Sequence, residues 1–431
     1  MHFKRSRTKV PRYSFSMRTH SRFARVLGHV CVALCLAVVT STGAADLVYD
    51  AAFLTEVEAQ RPTLNVTLTL SGERLPSRME FHIDPQRHRA FKSSLPLTKK
   101  DDVVTWLPAG TRATLSYEFV VTNERSAKRY DSLITENWAV FRSDKMVPRV
   151  AVTAPRDLKS RTTLRFKLPK GWSAVTPYAE IDGTYQVEDP DRRFDRPEGW
   201  AIVGQLGKRS EVVAGIQTVV AAPAGQAARR QDILAFLNWN LPHLKEVFPD
   251  FPQRLLVVSA GDPMWRGGLS GPASLFLHAD RPLISENRTS TLLHELVHVA
   301  MGIRGDEESD WIVEGLAEYY SLEILRRSGG ISQKRHEEAL ERLARWAQQS
   351  PSVFGRQSTG ATTARAVIVF REVDTEIRSA TAGRASLDDV AAALARDRGE
   401  VSLERLQASA RKVAGRKLQS LERNRLSAMP R

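Results

Sequence analysis

Between residues 46 and 225 apolar and polar positions alternate with a period of two. Leu64, Val66, Leu68 and Leu70 form one such run, and Leu115, Tyr117, Phe119 and Val121 form another. A third, Leu164, Phe166 and Leu168, has Arg165 and Lys167 between its apolar members. Successive strand side chains point to opposite faces, so this alternation, punctuated by Pro and Gly, predicts antiparallel strands with one buried face. The expectation is an N-terminal β-sandwich domain over 46–225. From 226 to 330 the text mixes a helical stretch beginning at Gln231 with an apolar strand at Leu255, Leu256, Val257 and Val258. From 331 to 431 it reads as helix. Ser386 followed three residues later by Asp389 predicts a capping box, and Gly399 and Gly415 stand where helices would stop. The expected fold class is therefore α+β and multidomain. The sequence shows no internal repeat.

The first 45 residues call for a separate reading. They carry eight basic residues (Lys4, Arg5, Arg7, Lys9, Arg12, Arg18, Arg22, Arg25) and no acid, then the apolar stretch Val30 to Val39 and the small residues Ser41 to Ala45. This order predicts a secretory signal over 1–45, cut near Asp46, and hence a periplasmic or secreted protein. Met17 would make a more ordinary start. An uncleaved membrane anchor is the alternative, although the apolar run is shorter than the ~20 residues a spanning helix needs and His29 interrupts it. Both cysteines, Cys31 and Cys35, fall in this segment, which excludes a disulfide scaffold or a four-cysteine zinc site. Of the net charge of +14 the segment accounts for eight, so only +6 remains beyond it. What remains gathers near the end (Arg411, Lys412, Arg416, Lys417, Arg423, Arg425) without interleaved aromatics to stack on bases. A solvated basic face fits better than a nucleic-acid surface.

The chemistry concentrates at His294-Glu295-Leu296-Val297-His298. Helix positions i and i+4 share a face, so the two imidazoles can meet one metal, with Glu295 beside them to take a proton from a water that the metal activates. The apolar neighbours Leu292, Leu293, Leu296, Val297 and Val299 predict a buried helix. The bland alternative makes the histidines core residues and Glu295 a surface acid. A zinc site that keeps one position open needs a third protein ligand, and Glu314, in Trp311-Ile312-Val313-Glu314-Gly315-Leu316-Ala317-Glu318-Tyr319-Tyr320, can supply it from a second helix. Glu318, one turn on, either accepts the free ring N–H of a ligating histidine or is an ordinary exposed acid.

HExxH followed by W-x-x-E-G-L-A-E-Y-Y resembles the gluzincin metallopeptidases, and most closely the glycyl aminopeptidase family. Lys170-Gly171-Trp172 is similar to the P-x-G-W strand end of that family's N-terminal domain. Val373 to Arg378 and Ser386 to Val390 resemble its helical C-terminal domain, so the likeness spans most of 110–420. It implies a β domain, a thermolysin-like catalytic domain over 226–330 and a helical domain closing over the cleft. Three departures qualify it. Only 15 residues separate His298 from Glu314, fewer than such families have, so the loop through Arg304 to Asp310 must be trimmed. Where the family has Gly-Gly-Leu-Glu, whose carboxylate can hold a substrate amine, this chain reads Gly267-Gly268-Leu269-Ser270. The tyrosine that the family places before its Asp-x-Glu-Ile-Arg helix is missing: the run is Thr363-Ala364-Arg365-Ala366, and no tyrosine follows Tyr320. Losing a donor to the developing oxyanion costs on the order of 100- to 1000-fold in rate. Thr363, His336 and Arg365 are the substitutes that the sequence offers.

His82, His88, His243 and His278 lack metal spacing to anything evident, and the acidic loop Asp306, Glu307, Glu308 and Asp310 reads as solvated or as a charge filter for substrates. The sequence reading is a secreted or periplasmic zinc metallopeptidase. His294, His298 and Glu314 hold the metal, Glu295 is the general base, and a peptide or protein is the substrate. The rivals are a catalytically impaired zinc-binding homologue that recognises peptides or envelope proteins without cutting them, and an adhesion protein whose β region does the work.

Overall fold

The computed structural model describes residues 47–59, 61–188 and 193–427; the expected signal segment, with Cys31 and Cys35, lies outside them. The alternating runs are strands. In Thr63–Ser71 the residues Leu64, Val66, Leu68 and Leu70 are fully buried while their neighbours are half-exposed. This strand pairs antiparallel with Arg112–Val120 in a register that sets Leu68 opposite Leu115. On its other side runs Leu47–Val57, itself parallel to Leu158–Lys167, within a seven-stranded sheet. A four-stranded sheet (Arg149–Thr153, Arg78–His82, Val103–Trp106, Leu97–Lys100) brings Met79, Phe81, Val104 and Trp106 to the same core.

A third sheet of five strands lies deeper. Its central strands, Trp138–Arg142 and Trp200–Gly204, are apolar on both faces. Ala139, Phe141, Ala201 and Val203 join the core just described, while Trp138, Val140, Trp200 and Ile202 pack on Leu256, Val258 and Phe276 of a fourth, mixed sheet. Continuous burial marks a layer covered on both sides, and this layer couples the β region to the mixed sheet. The mixed sheet runs in the order Leu206–Val213, Ile216–Pro223, Arg254–Ala260, Ser274–His278, Gly268–Gly271. It draws strands from both sides of residue 226. Helix Arg230–Val247 makes the crossover between its two parallel neighbours Ile216–Pro223 and Arg254–Ala260. Gly268–Gly271 turns back antiparallel on Ser274–His278 and ends the sheet.

Helices cover this sheet and share one apolar core with it, from Val220 and Leu255 through Leu296, Trp311 and Leu316 to Phe370, Leu394 and Leu406. They span Thr291–Met301, Asp310–Arg327, Gln333–Ala347, Ala361–Ala380, Leu387–Asp397 and Leu403–Ala414. The expected helix ends are as read: Ser386 and Asp389 form the capping box that starts Leu387–Asp397, Gly415 ends a helix with φ 73°, and Gly399 follows another with φ 78°. At Gly315 the second of these helices crosses Ala361–Ala380 so closely that a Cβ would stand 2.5 Å from that of Ala366. Only glycine permits that approach. No helix among the described residues is long and apolar enough to cross a membrane.

Candidate metal centre

Helix Thr291–Met301 begins at Ser290, whose hydroxyl accepts the Leu293 N–H at 3.3 Å, and ends at Gly302 in the left-handed conformation. Its apolar residues Leu292, Leu293, Leu296 and Val297 are fully buried. Their burial fixes the roll of the helix and turns His294 and His298 to the other side. The two Nε2 atoms lie 3.1 Å apart. Helix Asp310–Arg327 packs alongside through Trp311, Ile312 and Leu316 and carries Glu314 to them, with Oε2 3.2 Å from His294 Nε2 and Oε1 3.4 Å from His298 Nε2. Three donors bound to one zinc at about 2.0–2.1 Å in tetrahedral geometry stand about 3.3 Å apart. The closest approaches among the two imidazole nitrogens and the two oxygens of Glu314 are of that size. His294, His298 and Glu314 also form the one group of three or more metal-capable side chains among the described residues.

Glu318 lies a turn beyond Glu314 and places Oε2 3.0 Å from His294 Nδ1. A carboxylate on the far nitrogen fixes the ring's rotation and leaves Nε2 for a metal. Burial pushes His294 down, but hydrogen bonds to Glu314 and Glu318 outweigh it and hold the imidazole well above its ordinary pKa. For His298 burial and the neighbouring His294 charge act together, lowering it to about 4. Burial raises Glu314, yet its hydrogen bond to His294 brings it below the usual carboxylate range.

Glu295 is 8 % exposed, and burial raises its pKa against the pull of His294. The edge strand Gly268–Gly271 lies on it. A Cβ at Gly268 would stand 2.5 Å from Glu295 Cγ and 2.8 Å from Oε1. Ser270, two residues along the same strand, pulls the Glu295 carboxyl the other way, toward a lower pKa, without outweighing burial. The strand is tied down from the β region: Arg142 Nη1 donates to the Ser270 carbonyl at 3.1 Å and Trp200 Nε1 to the Leu269 carbonyl at 2.8 Å. Sequence reasoning missed the packing role of Gly268, for which the adjacent glycines were a signal. It also missed Arg142 and Trp200, which lie more than 60 positions away and carried none.

The other candidates are engaged elsewhere. Arg365 donates to the carbonyls of Ser350 at 2.7 Å and Arg425 at 3.1 Å. Thr363 meets the Ser358 hydroxyl at 3.1 Å. His336 faces Glu323 at 3.7 Å, His278 faces Asp262 at 3.3 Å and His243 faces Glu246 at 3.5 Å. His88 hydrogen-bonds the Lys145 carbonyl at 2.8 Å. Of the acidic loop, Glu308 pairs with Arg423 at 2.7 Å and Asp310 accepts the Ser358 N–H at 2.7 Å.

No family model and no curated protein matches the chain. Among solved structures, the crystal structure of an aminopeptidase N family protein from Idiomarina loihiensis is similar to it, with a TM-score of 0.61 at 16% sequence identity. The match covers 80% of this chain and 70% of that one. The likeness establishes the fold: a mixed α+β arrangement of the kind seen in that aminopeptidase N family protein.

Proposed function

We propose that the protein is a zinc metallopeptidase of gluzincin type. The carrying observation is the convergence of His294 Nε2, His298 Nε2 and the Glu314 carboxylate at 3.1 to 3.4 Å from one another, with Glu295 buried beside them. Two nitrogens and one carboxylate at this spacing suit zinc with a fourth position left open. In this reading the mixed sheet and the helices that bear the cluster form a thermolysin-like catalytic unit, flanked by the β region and the C-terminal helices. The fold likeness to an aminopeptidase N family protein supports a peptidase-like activity. The basic-then-apolar leader supports secretion or a periplasmic location, which fractionation of cells would test.

Zinc, when bound, supplies Lewis-acid polarisation of water and of the scissile carbonyl. Glu295 takes the proton of the attacking water and delivers it to the leaving nitrogen. Its burial raises its affinity for that proton, and the Gly268 backbone limits its movement. Glu318 holds His294 in the rotation that keeps Nε2 on the metal side.

The test is zinc content and peptide turnover measured together. About one zinc per chain is expected after dialysis, retained in Glu295→Gln with hydrolysis abolished and lost in Glu314→Ala. Wild-type turnover in Glu295→Gln would refute the assignment. One observation favours the impaired zinc-binding scaffold as a second reading: Arg365 and His336, two of the substitutes for the missing tyrosine, engage the Ser350 carbonyl and Glu323. Zinc without turnover of any peptide would select it.

A further inference from the structure

We propose that the basic hairpin of Asn123–Ser126 and Arg129–Ile134 makes this site favour peptides that carry acidic side chains about two to three residues from the scissile bond, on one side of it. This rests on the hydrolytic reading above. Gly268–Gly271 ends its sheet, so a peptide attacked beside Glu295 passes along an open strand edge at Gly268. From there its chain extends toward Ser270 in one direction and toward Trp265 in the other. At the Ser270 end the charges are matched. Arg142 holds Asp144 in a two-pronged pair at 3.1 and 2.9 Å, and next to it Arg196 pairs with Glu198 at 3.0 Å.

The Trp265 end is different. The hairpin is bonded to the chain that leads into the edge strand: the Tyr130 N–H donates to the Pro263 carbonyl at 3.2 Å, and the Tyr130 carbonyl accepts the Trp265 N–H at 2.8 Å. The Trp265 indole folds against Gly267, where a Cβ would overlap Nε1, and the Arg125 guanidinium lies over that indole at 5.1 Å. Gly267 is one Cα step of about 3.8 Å from Gly268, so the stack begins beside the Glu295 contact. Extended peptide advances about 3.3 Å per residue, which sets the cation about two to three residues from the attacked carbonyl. A stacked guanidinium spends its face on the ring and keeps its in-plane N–H groups for a carboxylate. The acids of this corner are engaged with other groups. Asp262 is held by Arg129 and Arg266, Asp131 accepts from Asn123 at 2.8 Å, and Glu124 accepts the Lys128 backbone N–H at 2.8 Å. Arg281 donates to the Arg266 carbonyl at 2.7 Å, and Arg229 to the Arg281 carbonyl at 2.8 Å. With Asp280 included, six cations stand here against four acids. Among the described residues Arg125, Lys128 and Arg281 are exposed and form no ion pair. A glutamate or aspartate brought to this end meets unpaired cations, and a lysine meets repulsion.

The test uses the zinc-loaded full chain and peptides of one length that carry paired Glu, Gln or Lys at the second and third residues from the scissile bond, on its N-terminal or its C-terminal side. Cleavage is read on the wild type, and binding is read by calorimetry on Glu295→Gln, where no turnover intervenes. On one of the two sides Glu should raise kcat/KM about tenfold over Gln at low salt, with Lys below Gln, and high salt should close the gap. Arg125→Glu combined with Lys128→Glu should remove or reverse the Glu-over-Gln ratio, whereas Arg125→Lys combined with Lys128→Arg should keep it. Lys128→Glu alone, which leaves the Arg125 stack in place, should reduce the ratio and serves where the double variant fails to fold. Equal handling of Glu and Gln peptides on both sides, or a preference that survives the charge reversal, overturns the assignment and leaves the hydrolytic reading standing. Cleavage of none of the peptides by the zinc-loaded wild type overturns the hydrolytic reading. Binding of the Glu peptides to Glu295→Gln, with and without the charge reversal, then decides the role of the hairpin separately.

Discussion

Gly268→Ala isolates the contact between the edge strand and Glu295, the proposed general base. The new methyl would lie 2.5 Å from Glu295 Cγ, 2.8 Å from Oε1 and 2.8 Å from Thr291 Cγ2. Ordinary carbon contacts begin near 3.5 Å, so about 1 Å of separation must be found. Thr291 opens the helix of His294 and His298 and is held there by the Ser290 cap, and the strand is anchored by Arg142 and Trp200. The mobile partner is therefore the Glu295 side chain. Overpacking of this kind costs about 1–3 kcal/mol of stability. A catalytic group displaced by about 1 Å loses on the order of 100-fold in rate. The expected result is a fall of kcat by about two orders of magnitude with KM and zinc content near wild type. Steady-state kinetics with a quenched fluorescent peptide, beside metal analysis, measures all three. A kcat within twofold of wild type in a zinc-loaded variant would show that Glu295 has no need of the position the strand gives it.

Two other perturbations probe the centre and the far end of the helix that carries Glu314. Glu318→Ala frees the His294 ring at Nδ1 and should weaken zinc binding about 10- to 100-fold in a chelator competition, while unfolding in metal-free buffer changes little. The Glu323 carboxyl is raised by burial, but hydrogen bonds from Arg326 and Arg327 hold it below its usual range. With its folded pKa depressed, its contribution to stability is full above its ordinary value and is lost as pH falls through the lowered one. Glu323→Gln should remove that part of the acid dependence, and identical pH profiles for the two proteins would contradict the sign.

How much of this was legible in the sequence depends on the range of the interactions. Helical spacing is local, so His294 and His298 and the buried face behind them could be read directly, and Ser386 with Asp389 announced their own cap. Period-two alternation gave the strands, because one face of each meets a core. It does not say which sheet a strand joins. Leu206–Val213 and Ile216–Pro223 fall inside the 46–225 stretch read with the β region, yet they pair toward Arg254–Ala260. The apolar runs at Trp138–Arg142 and Trp200–Gly204 mark a layer buried on both faces, which one-sided alternation does not anticipate. Arg142 and Trp200 reach the edge strand only through that layer, and no spacing in the chain encodes the distance.

The short connection between His298 and Glu314 shows the same dependence on distant chain. Fifteen residues must end one helix and start another while their donors stay about 3.3 Å apart. Gly302 reverses the chain, and Ile303–Gly305 then becomes a strand paired in parallel with Gly399–Val401. The Asp306 N–H continues the pairing to the Val401 carbonyl at 3.1 Å. The loop is thus templated by a segment a hundred residues downstream, and Arg405 shapes that segment by donating to the carbonyls of Arg398, Glu400 and Leu394. Removing these bonds in Arg405→Ala should lower stability by about 1–3 kcal/mol, discounted from several charged hydrogen bonds because the site is largely exposed. If the template sets the spacing of the metal helices, zinc should also dissociate faster from this variant. Lowered stability with an unchanged zinc off-rate would mean that the packing of Leu296, Trp311 and Leu316 alone keeps the donors in place.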